Sequence, residues 1–458
     1  MTLKNQSKIK NEILQGNILK LMFKLSTPGI LVMLLINMNA FIDALFAGQF
    51  LGETAIAGIS LSLPLTAIID GFAYLVGTGS ASVLSRAIGA GDIKTQSKIF
   101  GNLIIMGIFI SLFITIIGYS FSEELIKLMG GSGQVAFAGS EYFKTYILGS
   151  VFYILAVASN QLIKSEGKVR LAMTFAGIYV IINIILNPIF VVVFHWGIRG
   201  IALATVIAMI VFCIINFIYF LSGKSSIPVN PRKLALAINL LPVILSVGMS
   251  ALLANVMELV QNFVVFKSIS YYGTNSDIAF YGATIRLTLL AFIPLNGFVQ
   301  ALQPVIGINY GAKNYDRLRK AYFTFSISVT ALAVLFWLPM QLSPETFLSW
   351  LLPNSTFTNS DLLNFRVLSL LIPTISFVPF GSVLFQSIGK GKIVSIIIIL
   401  NNILLFIPLV VILSKLLGVS GVYYGIVITD FLLMVIALLL TFIEFKKMNI
   451  NNLKDNPY

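Results

Sequence analysis

Apolar residues run along this chain in stretches of twenty or more, separated by short polar segments that hold most of its charge. A membrane-spanning helix needs about 20 mostly apolar residues. The pattern predicts twelve, near 23–50, 54–78, 98–120, 135–161, 170–194, 199–221, 236–268, 278–307, 321–341, 359–387, 393–416 and 419–444. Several exceed the bilayer thickness and should tilt or project. The first twenty residues are polar and basic, and they lead into a run too long for a signal-peptide core. Residues 1–22 therefore read as a cytoplasmic arm that could lie as an interfacial helix.

The chain also repeats itself. RAIGAGD at 86–92 matches INYGAKN at 308–314, and KSEGKVR at 164–170 matches QSIGKGK at 386–392, both at an offset of 222. WGIRG at 196–200 matches LGVSG at 417–421, and Pro28 and Pro242 occupy similar places. Each repeat holds six predicted spans. Six is even, so both copies enter the membrane in the same direction and are related by an axis along its normal. The expected organisation is a six-helix bundle over 23–221, a cytoplasmic linker over 222–235, a second bundle over 236–445 and a cytoplasmic tail over 446–458. This layout places a cavity between the halves and is commonest among transporters.

Composition removes the alternatives. Of 458 residues, 58% are hydrophobic and 10% charged, with a mean hydropathy of +0.96. Soluble domains carry about 25% charged residues, so a soluble enzyme, a disordered chain and a nucleic-acid binder are excluded. The +13 net charge has a topological meaning instead. Of the Lys and Arg residues, 23 fall on the side of the termini and the even-to-odd loops and four on the other. That asymmetry predicts both termini in the cytoplasm and an affinity for the anionic inner leaflet. One cysteine, Cys213, permits no internal disulfide. One histidine, His195, argues against His-based catalysis and most metal sites. It precedes Trp196 at the outer end of the fifth span and reads as an interfacial anchor.

Four acids lie well inside spans: Asp43, Asp70, Glu258 and Asp430. A charge at the bilayer centre costs about 2.5–3.5 kcal/mol on insertion scales, so each should face the bundle interior, a cavity or a partner. Arg286 could neutralise Glu258 or Asp430 in a purely structural pair. Asp43 has no such partner in its half, which favours a functional role. Asn183 and Asn187 share one helix face and Asn160 ends the fourth span. Interhelical hydrogen bonding explains these three as well as a site does, at about 0.6 kcal/mol per contact. Asn262 joins Glu258 as a polar candidate in the second half. Asp43 with the two asparagines would make an oxygen-rich pocket of the kind hard cations prefer. Two apparent motifs fail. SGKSS at 222–226 lacks the glycine a phosphate loop needs, since position 218 is Ile218. GGSG at 130–133 lacks a general base within reach and reads as a glycine turn.

The motifs FIDALFAGQFLG (41–52), SRAIGAGD (85–92), INIILNPIFV (182–191) with GIRGIALAT (197–205), and QPVIGINYGAKN (303–314) resemble those of the MATE (multidrug and toxic compound extrusion) transporters. Within that family the chain is similar to the bacterial DinF-like and MepA-like branches, over roughly residues 15–445. The resemblance implies two six-helix bundles meeting in a V. It implies export of amphipathic, often cationic, drugs against an inward H⁺ or Na⁺ gradient by a monomer in the bacterial inner membrane, with no other cofactor. Carried over by position, the cation site would use Asp43, Asn183, Asn187 and Thr205, with Na⁺ a possible occupant. Many relatives have an acid where this chain has Asn187, so Asp43 is left as the carboxylate of that site. A lipid-linked saccharide flippase shares the broad architecture, but it should need a strongly cationic cavity, and only Arg286 lies deep in a span. A non-transporting membrane protein is the remaining alternative.

Overall fold

The computed structural model describes the backbone of residues 2–225, 227–229, 234–353 and 355–455. Side chains are described for residues 9–36, 46–47, 49–225, 227–229, 234–274, 276–353 and 355–450. Among these residues the chain is all helix. The first half contains α1 (Thr2–Gln15), α2 (Ile18–Phe46), α3 (Glu53–Ala90), α4 (Ile93–Ser120), α5 (Ser122–Leu128), α6 (Gly133–Ile147), α7 (Ser150–Ser165), α8 (Val169–Pro188) and α9 (Gly197–Leu221). The second contains α10 (Leu241–Tyr272), α11 (Asn275–Gly311), α12 (Tyr315–Leu342), α13 (Pro344–Leu351), α14 (Asn359–Ser369), α15 (Leu371–Thr374), α16 (Phe377–Ser387), α17 (Gly391–Leu400), α18 (Ile407–Leu417) and α19 (Val419–Asp455).

Eleven segments are long and apolar enough to cross a membrane, and α6 with α7 forms a twelfth, bent by 55°. The hydropathy pattern therefore located every span but not this break. The break falls at Leu148 and Gly149, between two apolar helices. A Cβ on Gly149 would stand 2.8 Å from Met209 Sδ on α9, so glycine permits the close approach of α9 at the bend. Single-turn π segments close α2 (Ala47–Leu51) and α8 (Ile189–Val193) and join α17 to α18 (Asn401–Phe406). α19 runs unbroken through residue 445, where the second bundle was expected to end.

The repeat is visible in the helix starts. Asp92 caps α4 by accepting from Thr95 N at 3.0 Å, and Asn314, 222 residues on, caps α12 by accepting from Arg317 N at 3.4 Å. These side chains take up amide donors that a helix N-terminus leaves unsatisfied. Gly91 then ends α3 in a left-handed conformation (φ 73°), which a side chain would strain.

The halves meet along α2, α3, α10 and α11. A Cβ added to Gly79 would overlap the Ile244 carbonyl, and one on Gly248 would overlap that of Leu75. Gly29 on α2 faces Gly297 on α11, where a Cβ would lie 3.0 Å from the opposing Cα. These contacts occupy the half of each helix that runs toward the linker and the basic loops. In the other half, Gly58 packs inside its own bundle against Gly139, and a Cβ on Gly282 would meet nothing within 4 Å. The two bundles are thus zipped together at the basic end by glycines that let backbones touch.

The linker is fixed at both ends. Glu166, in the turn between α7 and α8, is fully buried. It accepts from Tyr219 Oη and Ser225 Oγ, both at 2.6 Å. Lys168 Nζ lies 3.2 Å from Glu166 and donates to Tyr219 Oη and the Lys224 carbonyl. Further on, Asn102 of α4 bonds the backbone of Ala237 in both directions.

Candidate functional site

α8 and α9 place three of the four residues proposed for the cation site in direct contact. Asn183 Nδ2 donates to Thr205 Oγ1 at 2.9 Å, and Asn187 Nδ2 donates to Asn183 Oδ1 at 3.2 Å. Thr205 Oγ1 also reaches its own helix at the Ile201 carbonyl, 3.2 Å away. Both asparagines are fully buried and Thr205 is 6% exposed. The one-turn spacing of Asn183 and Asn187 stacks their amides on one face. Gly200 brings α9 against Phe190, so α9 meets α8 near this level. The result is a run of amide and hydroxyl groups enclosed by apolar packing, able to offer oxygen ligands or to relay a hydrogen-bond change. Asp43 lies on α2, but its side chain is outside the described residues.

The other polar candidates separate. Asn160 donates to the Ala172 carbonyl at 2.9 Å and contacts Asn216 Oδ1 at 3.4 Å, tying α7 to α8 and α9. Asp70 is on α3, apart from the asparagine–threonine contacts, and is hydrogen-bonded to Tyr153. In the second half, Glu258, Asn262 and Arg286 are exposed at the surface of α10 and α11, and Asp430 is half-buried on α19. The structural pair of Arg286 with Glu258 or Asp430 does not form: none of the three enters an ion pair among the described residues. Spacing along the chain does not say which helix faces meet, so opposite charges on α10, α11 and α19 need not face one another. GGSG is a turn before α6, with Gly130 and Gly133 at positive φ. His195 is exposed at φ 55°, beside the stacked rings of Phe190, Phe194 and Trp196.

The family model MatE matches residues 28–189 and 247–412, one segment in each half. The chain belongs to the MATE family. Among curated proteins it is similar to the multidrug export protein MepA of Staphylococcus aureus strain MRSA252, 25% identical over 93% of this chain and 94% of that protein. MepA of Staphylococcus haemolyticus strain JCSC1435 is 26% identical over 91% of each. Among solved structures, the crystal structure of MATE in the bent conformation has a TM-score of 0.90 at 22% identity, covering 96% of this chain and 98% of that one. A MOP superfamily transporter from Pyrococcus furiosus, described as having a binding pocket of reverse polarity, has a TM-score of 0.88 at 22% identity over the same shares. These structures share the fold.

In this MATE chain the repeated motifs converge on the basic end. Ser82 Oγ donates to the Gln386 carbonyl at 2.5 Å, and Gln386 Nε2 donates to Ser250 Oγ at 3.0 Å. Gln303 joins Ser85 and Ser387 at 3.4 Å each. Lys164 Nζ reaches across to Gln300 Oε1 at 2.5 Å, and the Arg86 guanidinium lies against Gly389. Sequence reasoning found these stretches as repeat markers but assigned no role to Ser82, Ser85, Gln300, Gln303 or Gln386. The signal was present, because polar residues recur there in spans that are otherwise apolar.

Proposed function

We propose that this protein is a secondary active exporter of amphipathic, often cationic, compounds, driven by inward movement of H⁺ or Na⁺. The observation that carries the reading is the buried Asn183–Asn187–Thr205 contact inside the first bundle of a MATE chain. Its curated relatives are multidrug export proteins, which supports drugs as the substrate class. Asp43 supplies the carboxylate of the coupling site, and Asn183, Asn187 and Thr205 its further oxygens. With the basic end in the cytoplasm of a bacterial inner membrane, the glycine contacts make this the outward-facing form. Loading the site changes the charge buried in the first bundle and so biases which end is closed.

The test uses purified protein in liposomes with separately imposed H⁺ and Na⁺ gradients. Ethidium should move against one of them, and Asp43→Asn should abolish that movement while the protein still reaches the membrane. Normal export by Asp43→Asn would overturn the coupling role, and failure of both gradients to move the dye would overturn the exporter reading.

A further inference from the structure

Near the middle of α3, Asp70 sits among tyrosines that the candidate cation site does not include. Its carboxyl accepts a hydrogen bond from the Tyr153 hydroxyl on α7. Its Oδ1 has neither solvent contact nor a hydrogen-bond partner among the described residues. Tyr74 lies one turn along α3 in electrostatic contact with it. Tyr74, Tyr146 on α6 and Tyr179 on α8 lie within electrostatic range of the Tyr153 hydroxyl. The Tyr153 and Tyr179 rings are 6.5 Å apart. Tyr179 precedes Asn183 by four residues, so one face of α8 joins this cluster to the asparagine–threonine site.

The groups facing Asp70 are thus Tyr74 from its own helix and Tyr153 from α7, with Tyr146 and Tyr179 behind them. Among the described residues, α4, α10 and α11 bring no ionised side chain into contact with it. Glu258, the acid on α10, is exposed six residues beyond Leu252. The backbone at Gly71 instead abuts Leu252 of α10, where a Cβ would stand 2.7 Å from Leu252 Cδ1.

We propose that Asp70 is a second proton-binding carboxyl of the first bundle, loaded and unloaded during transport, with Tyr153 as its hydrogen-bond donor. Ionised, it would hold a negative charge at mid-span with one hydroxyl donor and no cation, and one oxygen would be dry and bare. Protonated, it is neutral and its O–H becomes a donor. The balance between the two states depends on how α3 and α7 pack, since that packing decides which donors reach the carboxyl. α3 is also the helix that closes on α10 and α11 at the basic end. The proton is the fitting ligand. A sodium ion needs several oxygens at once, and the cluster offers one carboxyl surrounded by phenol hydroxyls.

The proposal rests on the reading of the chain as a cation-coupled exporter, and its test is independent of transport. Infrared difference spectra of the full-length protein in lipid, taken between acid and alkaline pH without Na⁺, should contain a protonated-carboxyl band that Asp70→Asn removes. Tyr153→Phe should keep the band and raise the pH at which it disappears, because the ionised form loses its donor. In proteoliposomes Asp70→Asn should lower H⁺-driven ethidium export at least tenfold. Carboxyl bands unchanged in Asp70→Asn would overturn the proposal, even if wild-type protein exports the dye. Should Asp70→Asn fail to fold, an unmoved midpoint in Tyr153→Phe would overturn it equally. A band lost in Asp70→Asn from a protein that moves no dye would reject the exporter reading and keep the proton site.

Discussion

Gly89 and Gly311 occupy equivalent places in the two repeats, and each packs on the other's helix. A Cβ on Gly89 would overlap the carbonyl of Ile308, and one on Gly311 would overlap the carbonyl of Arg86. Ile308 and Arg86 are themselves 222 residues apart, as are the glycines. The contact is therefore two-fold in character although one chain makes both sides, as duplication along a membrane-normal axis requires.

Neither glycine can gain a methyl group without separating α3 from α11, because the obstacle is backbone. Gly89→Ala or Gly311→Ala should destabilise the closed basic end by roughly 1–3 kcal/mol, the usual range for overpacking. That is at least about a fivefold shift toward the open form. Spin-label distances between α3 and α11 in lipid should lengthen, and export should fall with normal protein levels in the membrane. Unchanged distances in both variants would count against the gate.

The asparagine–threonine site makes a different forecast. Asn183→Ala removes the acceptor for Asn187 and the donor to Thr205 together. Losing such buried polar contacts costs about 1–3 kcal/mol, so cation-driven export should drop by about fivefold or more. Thr205→Ser should retain export, because the hydroxyl stays. Asn216→Ala, which breaks the contact to Asn160 and the bond to the Phe212 carbonyl on its own helix, should leave the cation dependence unaltered. Initial rates at varied H⁺ or Na⁺ would distinguish these.

Glu166→Ala would strand Lys168, Tyr219 and Ser225 without their shared acceptor. Breaking a buried ion pair from one side costs about 3–5 kcal/mol. Thermal unfolding in detergent should begin at a clearly lower temperature than wild type. The double substitution with Lys168→Met should recover part of the loss, since no uncompensated charge then remains.

Asp92 gives a pH dependence whose sign can be worked out. Its hydrogen bonds from Thr95 hold the carboxyl below its usual range, with a smaller contribution from Lys94. A depressed folded-state value means the stabilisation is present above the unfolded value and lost as pH falls through the folded one. Wild-type protein should lose stability on acidification toward that range, and Asp92→Asn should lose less. Asp92→Ala should cost about 1 kcal/mol at neutral pH, the typical value of an N-cap. Melting curves across the acid range would check all three.

Much of this architecture could be read from the sequence because hydropathy reports burial against lipid directly. The twelve runs and the repeat follow from residue type and spacing alone. The bend at Gly149 did not, since both helices it joins are apolar and a glycine inside a span has no fixed meaning until a neighbour such as Met209 is known. The contact of Asn183, Asn187 and Thr205 was half legible: spacing put the asparagines on one face, but only resemblance pointed to Thr205 across the helix pair. Arg286 misled for a related reason. Charge complementarity suggests pairs, yet it does not say which helix faces meet, and no ion pair joins Arg286 to Glu258 or Asp430 among the described residues. The tyrosines around Asp70 come from four helices, and no one-dimensional pattern brings them together.

The short helix at the very start of the chain has a consequence of its own. Arg317, on α12 of the second half, donates to the carbonyls of Ile13 and Gly16 at 2.7 and 2.5 Å, finishing the last turn of α1. Ile13 is 1% exposed beneath it. The last turn of α1 is thus completed by a side chain some three hundred residues further along the chain. Until α12 has been made, the Ile13 and Gly16 carbonyls lack this donor, so the last turn of α1 depends on the second half of the chain.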